Sequence, residues 1–229
     1  LLARLARVVL QAFPGSFYSE VNAETVGNPV REDIAAVAPP AERYADRQGP
    51  LRLLVLGGSQ GALALNKTVP AALALMAPAE RPMIRHQCGS LTLDIARAAY
   101  AEHDIEVELL PFIDDMAAVY AWADLVVCRA GALTVAELCA AGLPALFVPY
   151  PAAVDDHQTA NARPLADAGA AVIIDESMLS AEVLAGQLKD WLSSRAALMR
   201  RAEKARSLAK PSALSRITEL CLEQAGAAA

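Results

Sequence analysis

Three short segments carry residue types suited to binding phosphate and sugar. The first is Gly57-Gly58-Ser59-Gln60-Gly61-Ala62, a glycine-led turn between an apolar run and a helical pattern. Free backbone N–H groups and the helix dipole favour an anion at such a corner. Glycine lets the chain approach a phosphate closely, and Ser59 adds a hydroxyl donor. The spacing is neither G-x-G-x-x-G nor the P-loop with its lysine. A tight turn that simply needs glycine is the competing reading. The second segment is Arg129-Ala130-Gly131-Ala132-Leu133-Thr134-Val135-Ala136-Glu137. Here Thr134-x-x-Glu137 fits a capping box, in which each side chain satisfies an orphan N–H. The alternative keeps Glu137 free near a helix start, where it can accept from two ribose hydroxyls in charge-assisted bonds worth about 1.5–3 kcal/mol. The third is Asp156-His157-Gln158-Thr159-Ala160-Asn161. Gln158 donates and accepts at once, which suits sugar hydroxyls. His157 is a candidate general base, although a surface histidine at a helix start is the commoner situation.

Other chemistries find less support. The acidic pairs Asp114-Asp115 and Asp155-Asp156 do not give the D-x-D spacing that suggests a divalent ion on substrate phosphates, so no metal site is expected. Asp114 reads instead as the N-cap of a helix beginning at Met116. Without a metal, charge on a phosphate must be met by N–H groups and by a cation such as Arg31. An exposed loop arginine is the plainer reading of that residue. A dinucleotide site wants an acid about 20 residues beyond the first glycine turn. Met83-Ile84-Arg85-His86-Gln87 has none, which weakens a nicotinamide cofactor. His86 and His103 have no partner pattern and read as structural.

These segments need elements to hold them. From residue 51, short apolar runs at 51–56, 82–86, 105–110, 124–128, 145–148 and 171–174 alternate with helical patterns. The helices are expected from 62, towards 100, over 114–121, 133–141 and 156–168, and again after 180. Such alternation predicts a parallel sheet covered on both faces, a Rossmann-like doubly wound α/β domain. Ligands in these folds sit at the carboxyl ends of strands where strand order reverses. All three segments follow strands, so one edge is expected to gather them. Ahead of the sheet, residues 1–22 read as an amphipathic stretch and an aromatic turn. Pro29 fixes its own φ and pushes Asn28 out of the helical region. The polar stretch 39–50 reads as linker.

Composition sets the outer limits. The 229 residues suit one large domain or one domain with part of another. A hydrophobic share of 55% excludes a disordered tail. The net charge of −6 offers no basic field for nucleic acid. Cys88, Cys128, Cys139 and Cys221 lack C-x-x-C spacing and read as reduced thiols. The longest charge-free stretch, 138–154, is interrupted by Gly142, Pro144, Pro149 and Pro151 and falls short of a ~20-residue membrane span. The opening run has arginines within it and reads poorly as a signal peptide. Beginning mid-pattern without Met, the chain is expected to be part of a longer protein.

Taken in order, these segments resemble one family. The glycine turn with Asn66, His86-Gln87-Cys88-Gly89, Phe112-Ile113-Asp114-Asp115-Met116, the Arg129–Glu137 block, Gly142-Leu143-Pro144-Ala145 and 155–162 are similar to the MurG peptidoglycan glycosyltransferases. The likeness runs from about Phe13 to the end. It implies half of a two-domain GT-B enzyme. Residues 1–26 would be a remnant of the acceptor domain, 27–50 an inter-domain linker, 51–210 the UDP-GlcNAc-binding domain and 211–229 a C-terminal helix crossing back. The implied hexosyltransferase reaction moves N-acetylglucosamine, with inversion and without a required metal or cofactor. It runs from UDP-GlcNAc to undecaprenyl-diphospho-N-acetylmuramoyl-pentapeptide, making lipid II for the cell wall. Position by position, Arg31 and Ser59 would meet the donor diphosphate, with Gly58, Gln60 and Gly131 as possible neighbours. The backbone of Ile113 would read the uracil edge and Met116 would pack near the base. Ala132, Leu133 and Thr134, followed by Val135 and Ala136, would set a helix start on the β-phosphate. Glu137 would hold the ribose, and Gln158 the sugar near its 4-hydroxyl. His157 stands where many members carry a second glutamine. No catalytic residue is expected here: the base belongs to the acceptor domain, so this chain is expected to bind donor without turnover.

The resemblance also implies a peripheral enzyme on the cytoplasmic face of the bacterial inner membrane. Leu1, Leu2, Leu5, Val8 and Val9 with Arg4 and Arg7 are read as a helix, either interfacial or packed on the acceptor domain. Three rival readings stand beside the transferase: a UDP-GlcNAc 2-epimerase, a nicotinamide-dependent oxidoreductase and a non-catalytic nucleotide-sugar module.

Overall fold

The apolar runs become the strands of one parallel sheet. A computed structural model of the chain describes residues 3, 5–17, 20–58, 61–151 and 156–226. Two short parallel strands, β1 (Val9–Gln11) and β2 (Ala23–Thr25), come first, then short helices α1 (Glu32–Ala35) and α2 (Pro40–Ala45). The main sheet follows as β3 (Arg52–Leu56), α3 (Leu63–Ala74), β4 (Met83–Gln87), α4 (Leu93–Glu102), β5 (Glu108–Leu110) and α5 (Met116–Trp122). It continues through β6 (Leu125–Cys128), α6 (Ala132–Ala141), β7 (Ala145–Phe147), α7 (His157–Asp167) and β8 (Ala171–Ile173). Helices α8 (Ala181–Leu192), α9 (Arg195–Ser207) and α10 (Ala213–Gly226) close the chain.

Strand order is β5-β4-β3-β6-β7-β8, all parallel. The chain lays down three strands in one direction, then returns to build three more on the other side of β3. Order therefore reverses between β3 and β6, where Leu56 lies beside Cys128 at the carboxyl end. Alternation within the strands sorts the core into two layers. Leu54, Leu56, Val126 and Cys128 pack with Ile34, Tyr120 and Leu138. Leu53, Val55, Leu125 and Val127 pack with Leu65, Val69 and Leu184. A strand buried on both faces explains the near-continuous apolar runs. Among the described residues, no helix is long and apolar enough to cross a membrane.

Several expectations are corrected. The stretch before residue 13 is not a helix among the described residues: Val9 lies in β1, and Leu1, Leu2 and Arg4 fall outside those described. The segment 39–50 is no loose connector. Tyr44 and Arg43 are buried, and Arg47 pairs with the fully buried carboxylate of Asp124. Asp124 also accepts from the Arg52 N–H at 3.0 Å and lies 3.6 Å from Arg195. This carboxylate ties α2, β3 and α9 together. Asp115, not Asp114, caps α5, accepting from the Ala118 N–H at 2.8 Å. The residue immediately before the first helical one is the one whose carboxylate reaches that N–H. Helix α10 lies against β2, where Arg216 grips Glu24 through two bonds of 2.7 and 3.1 Å. Cys88, Cys128 and Cys139 are buried free thiols and Cys221 is exposed.

His86 is fully buried on β4, with Nδ1 3.0 Å from the Tyr100 hydroxyl and no partner at Nε2. Burial drives its pKa from 6.5 down to about 3. Between those values the unfolded chain binds the extra proton. The stability gained by keeping His86 neutral is thus complete above pH 6.5 and lost as pH falls towards 3. Urea denaturation across acidic pH should show a slope of up to about 1.4 kcal/mol per pH unit from this group. His86→Gln should remove that component; an unchanged slope would contradict the assignment.

Candidate functional site

The reversal of strand order leaves two helix starts at the ends of neighbouring strands. Helix α3 begins after β3 and helix α6 after β6, on opposite faces of the sheet but at the same carboxyl edge. Ala62, the N-cap of α3, makes no side-chain cap. Neither does Gly131 at α6, whose first intrahelical bond runs from the Val135 N–H to the Gly131 carbonyl at 2.9 Å. The N–H groups of Ala132, Leu133 and Thr134 therefore have no acceptor within their helix. They carry the positive end of the helix dipole at the carboxyl edge of the sheet.

The first corner is tied to the sheet through backbone and amide bonds. Gly57 donates to the Gln87 carbonyl at 2.8 Å, and Gly58 donates to Gln87 Oε1 at 3.2 Å. Gly61 has φ +75°, and a Cβ there would lie 2.1 Å from Thr92 Oγ1 and 2.3 Å from the Cys88 carbonyl. Gly58 has φ +76° with open space where a Cβ would go. Asn66, one turn into α3, donates to Thr92 Oγ1 at 3.0 Å and to the Cys88 carbonyl at 3.1 Å. Ser59 and Gln60 lie outside the described residues.

The capping-box reading of Thr134 and Glu137 is not what forms. Helix α6 starts at Ala132, which places Thr134 in the first turn and Glu137 in the second, too far along to reach back to a cap. Glu137 instead accepts a 2.8 Å bond from the hydroxyl of Tyr120, on α5. Burial, then the Glu137 carboxylate, holds this hydroxyl well above the usual phenol range, and the charge of Arg31 acts in the opposite sense. Arg31 thus belongs to the same electrostatic neighbourhood as Glu137. It sits at the N-cap position of α1, half-exposed, 3.8 Å from Asp33.

A lattice of bonds fixes the start of α6 from the other side. Arg129 donates to the carbonyls of Val148 and Pro149 at 3.0 and 3.1 Å, pairs with Glu176 and lies over the Tyr150 ring. Gln158 Oε1 accepts from the Ala130 N–H at 3.2 Å and the Tyr150 N–H at 3.0 Å. Asn161 donates to the Ala130 carbonyl at 3.1 Å. Both lone-pair directions of the Gln158 oxygen are taken, so its amide N–H groups are what it has to offer a ligand. The dual role read from the sequence reduces to donation.

Two of the expected residues, Val135 and Ala136, are engaged elsewhere. Val135 is fully buried in the core, and its N–H is spent within the helix. Ala136 faces a different hollow, an apolar cavity of about 590 Å³ lined also by Phe13, Val30, Ala140, Pro211 and Leu214. Ile113 is buried between β5 and α5, and Met116 opens α5 against the core. His157 is the exposed first residue of α7. Among the described residues, no three His, Cys, Asp or Glu side chains gather as a metal site. Tyr120, Arg129 and Asn161 received no role from the sequence. The only hint for Tyr120 was its place four residues beyond Met116, on the same helix face.

The parallel sheet with its crevice at the reversal defines the chain as a Rossmann-like α/β domain. It belongs to the glycosyltransferase family 28 C-terminal domain family, whose description matches residues 52–217. A protein of Alkalilimnicola ehrlichii named UDP-N-acetylglucosamine--N-acetylmuramyl-(pentapeptide) pyrophosphoryl-undecaprenol N-acetylglucosamine transferase is 56% identical over 98% of this chain and 63% of its own length. A Marinobacter nauticus protein of the same name is 51% identical over 98% of this chain and 62% of its own. The crystal structure of Acinetobacter baumannii MurG has a TM-score of 0.85 at 42% identity, covering 97% of this chain and 62% of that one. The chain thus spans less than two-thirds of the length of these relatives. The fold is the Rossmann-like half of a GT-B glycosyltransferase.

The geometry of the first corner separates two glycines that look alike in sequence. Gly61→Ala meets both a left-handed φ and a backbone carbonyl, and should lower stability by about 3 kcal/mol or more. Gly58→Ala meets the left-handed φ alone and should lower it by about 1 kcal/mol. Chemical denaturation of the two variants checks the difference; equal losses would mean that the corner is not packed against Cys88.

Proposed function

We propose that the protein to which this chain belongs transfers N-acetylglucosamine from UDP-GlcNAc to undecaprenyl-diphospho-N-acetylmuramoyl-pentapeptide, and that this chain supplies the donor site. The observation that carries the proposal is the 56% identity to the A. ehrlichii transferase across 98% of the chain. In this reading, the Ala132, Leu133 and Thr134 N–H groups hold the β-phosphate, with Arg31 and Ser59 on the diphosphate. The Ile113 backbone reads the uracil edge and Met116 packs near the base. Glu137 accepts from the ribose hydroxyls, and the Gln158 amide donates to the sugar near its 4-hydroxyl.

The chemistry follows from charge. Breaking the anomeric C–O bond leaves extra negative charge on the β-phosphate while the sugar becomes oxocarbenium-like. Fixed N–H dipoles and a guanidinium aimed at that phosphate stabilise the transition state more than the bound substrate. No metal is assigned a part. The acceptor hydroxyl attacks from the opposite face, which inverts the centre, and its proton passes to a base. We assign that base to the part of the protein that the longer relatives carry beyond this chain. The chain alone is therefore expected to bind donor without turning it over. The lipid acceptor puts the enzyme at the cytoplasmic face of the bacterial inner membrane as a peripheral protein.

Calorimetric titration tests the donor site directly. The chain should bind UDP and UDP-GlcNAc, and Glu137→Ala should weaken UDP binding by roughly ten- to a hundredfold. Unchanged affinity in that variant would remove Glu137 from the site, and absence of UDP binding by the intact chain would overturn the proposal.

A further inference from the structure

Glu137 is held by a residue that cannot itself touch a ligand. Tyr120 has 0% of its surface exposed. Its ring is packed with Val126, Cys128 and Leu138 in the core layer beneath α5 and α6. Only the hydroxyl has a polar task, the 2.8 Å bond to Glu137 Oε2. The other carboxylate oxygen of Glu137 carries no hydrogen bond among the described residues. A glutamate on the second turn of a helix has three side-chain torsions, so on its own it spreads over several rotamers. A buried phenol donating to one oxygen narrows that spread and leaves the second oxygen to accept from a ligand. The bond also satisfies a buried hydroxyl that water cannot reach.

We propose that Tyr120 is a positioning residue for recognition of the ribose in a nucleoside diphosphate: it immobilises one oxygen of Glu137 so that the other is presented to the cis-diol. The inference rests on the ribose role given to Glu137 above. It adds that selectivity for a ribonucleotide over a sugar lacking those hydroxyls is set in the core, one residue behind the site. Tyr120 pre-organises the acceptor, so less rotamer freedom is lost when the ligand binds. Its hydroxyl keeps its proton at neutral pH because burial disfavours the phenolate, so it acts as a donor throughout.

Tyr120→Phe removes the hydroxyl and keeps the ring that fills the core. Calorimetry with UDP and with 2′,3′-dideoxy-UDP, on the whole chain, reads the consequence. The variant should bind UDP about tenfold more weakly, while affinity for the dideoxy analogue changes by less than about twofold. In a Glu137→Ala background the Tyr120→Phe effect should vanish, since the two act through one contact. A purely structural role would weaken both ligands alike and would persist without Glu137; that result overturns the proposal. If UDP binding is untouched by Tyr120→Phe while Glu137→Ala still abolishes discrimination between the ligands, only the positioning role fails. If the wild-type chain does not discriminate between the ligands, the ribose role of Glu137 fails and takes this inference with it.

Discussion

Backbone N–H groups without acceptors are the constraint from which the rest of the site follows. A helix can leave its first donors open only where solvent or a ligand meets them, and α6 has no capping side chain to take them. Its N-cap is Gly131, which has no side chain to offer. Its acidic residue, Glu137, is turned aside by Tyr120. What is left at the carboxyl edge is a concentration of positive dipole, placed where strand order reverses and a second uncapped helix start lies beside it. In the proposed function, the pyrophosphate of the donor is the group that satisfies both.

The same helix is anchored at its far end. Arg43, on α2, donates to the carbonyls of Ala141 and Gly142, and Arg206, on α9, donates to that of Ala140. Gly142 ends the helix with φ +63°. Guanidinium groups at a helix C-terminus complement the dipole and satisfy its last carbonyls. Gln158, Asn161 and Arg129 hold the loop ahead of the helix. Both ends of α6 are therefore fixed by side chains drawn from other elements. Preorganised dipoles of this kind need not reorient as charge builds on a leaving phosphate.

Much of the sheet was legible in the sequence because strands buried on both faces leave uninterrupted apolar runs. Residues 124–128 and 145–148 show this most plainly, and the structure places β6 and β7 within them. The segments proposed for the donor site drew notice for a different reason: glycines at strand-to-helix corners and a lone acid near a helix start suit a phosphate and a sugar, although a tight turn and a capping box use the same residue types. What escaped was anything set by contact between distant segments. Val9–Gln11 is too short for its alternation to declare a strand, and its pairing with Ala23–Thr25 is a tertiary fact. Arg43 and Arg47 read as polar linker because their acceptors on the α5 and α6 side lie some 74 to 99 residues away. Tyr120 drew no role, since the partner of its hydroxyl belongs to another helix. Thr134 and Glu137 matched a capping box by spacing alone, and only the true start of α6 decides against it.

Backbone amide shifts in the isotopically labelled chain, recorded as UDP and then uridine are added, test the convergence on one pyrophosphate most directly. The account predicts that UDP moves the resonances of Ala132, Leu133 and Thr134 together with those of Gly58 and Gly61, and that uridine moves neither set appreciably. Shifts confined to one corner, or equal responses to both ligands, would contradict it.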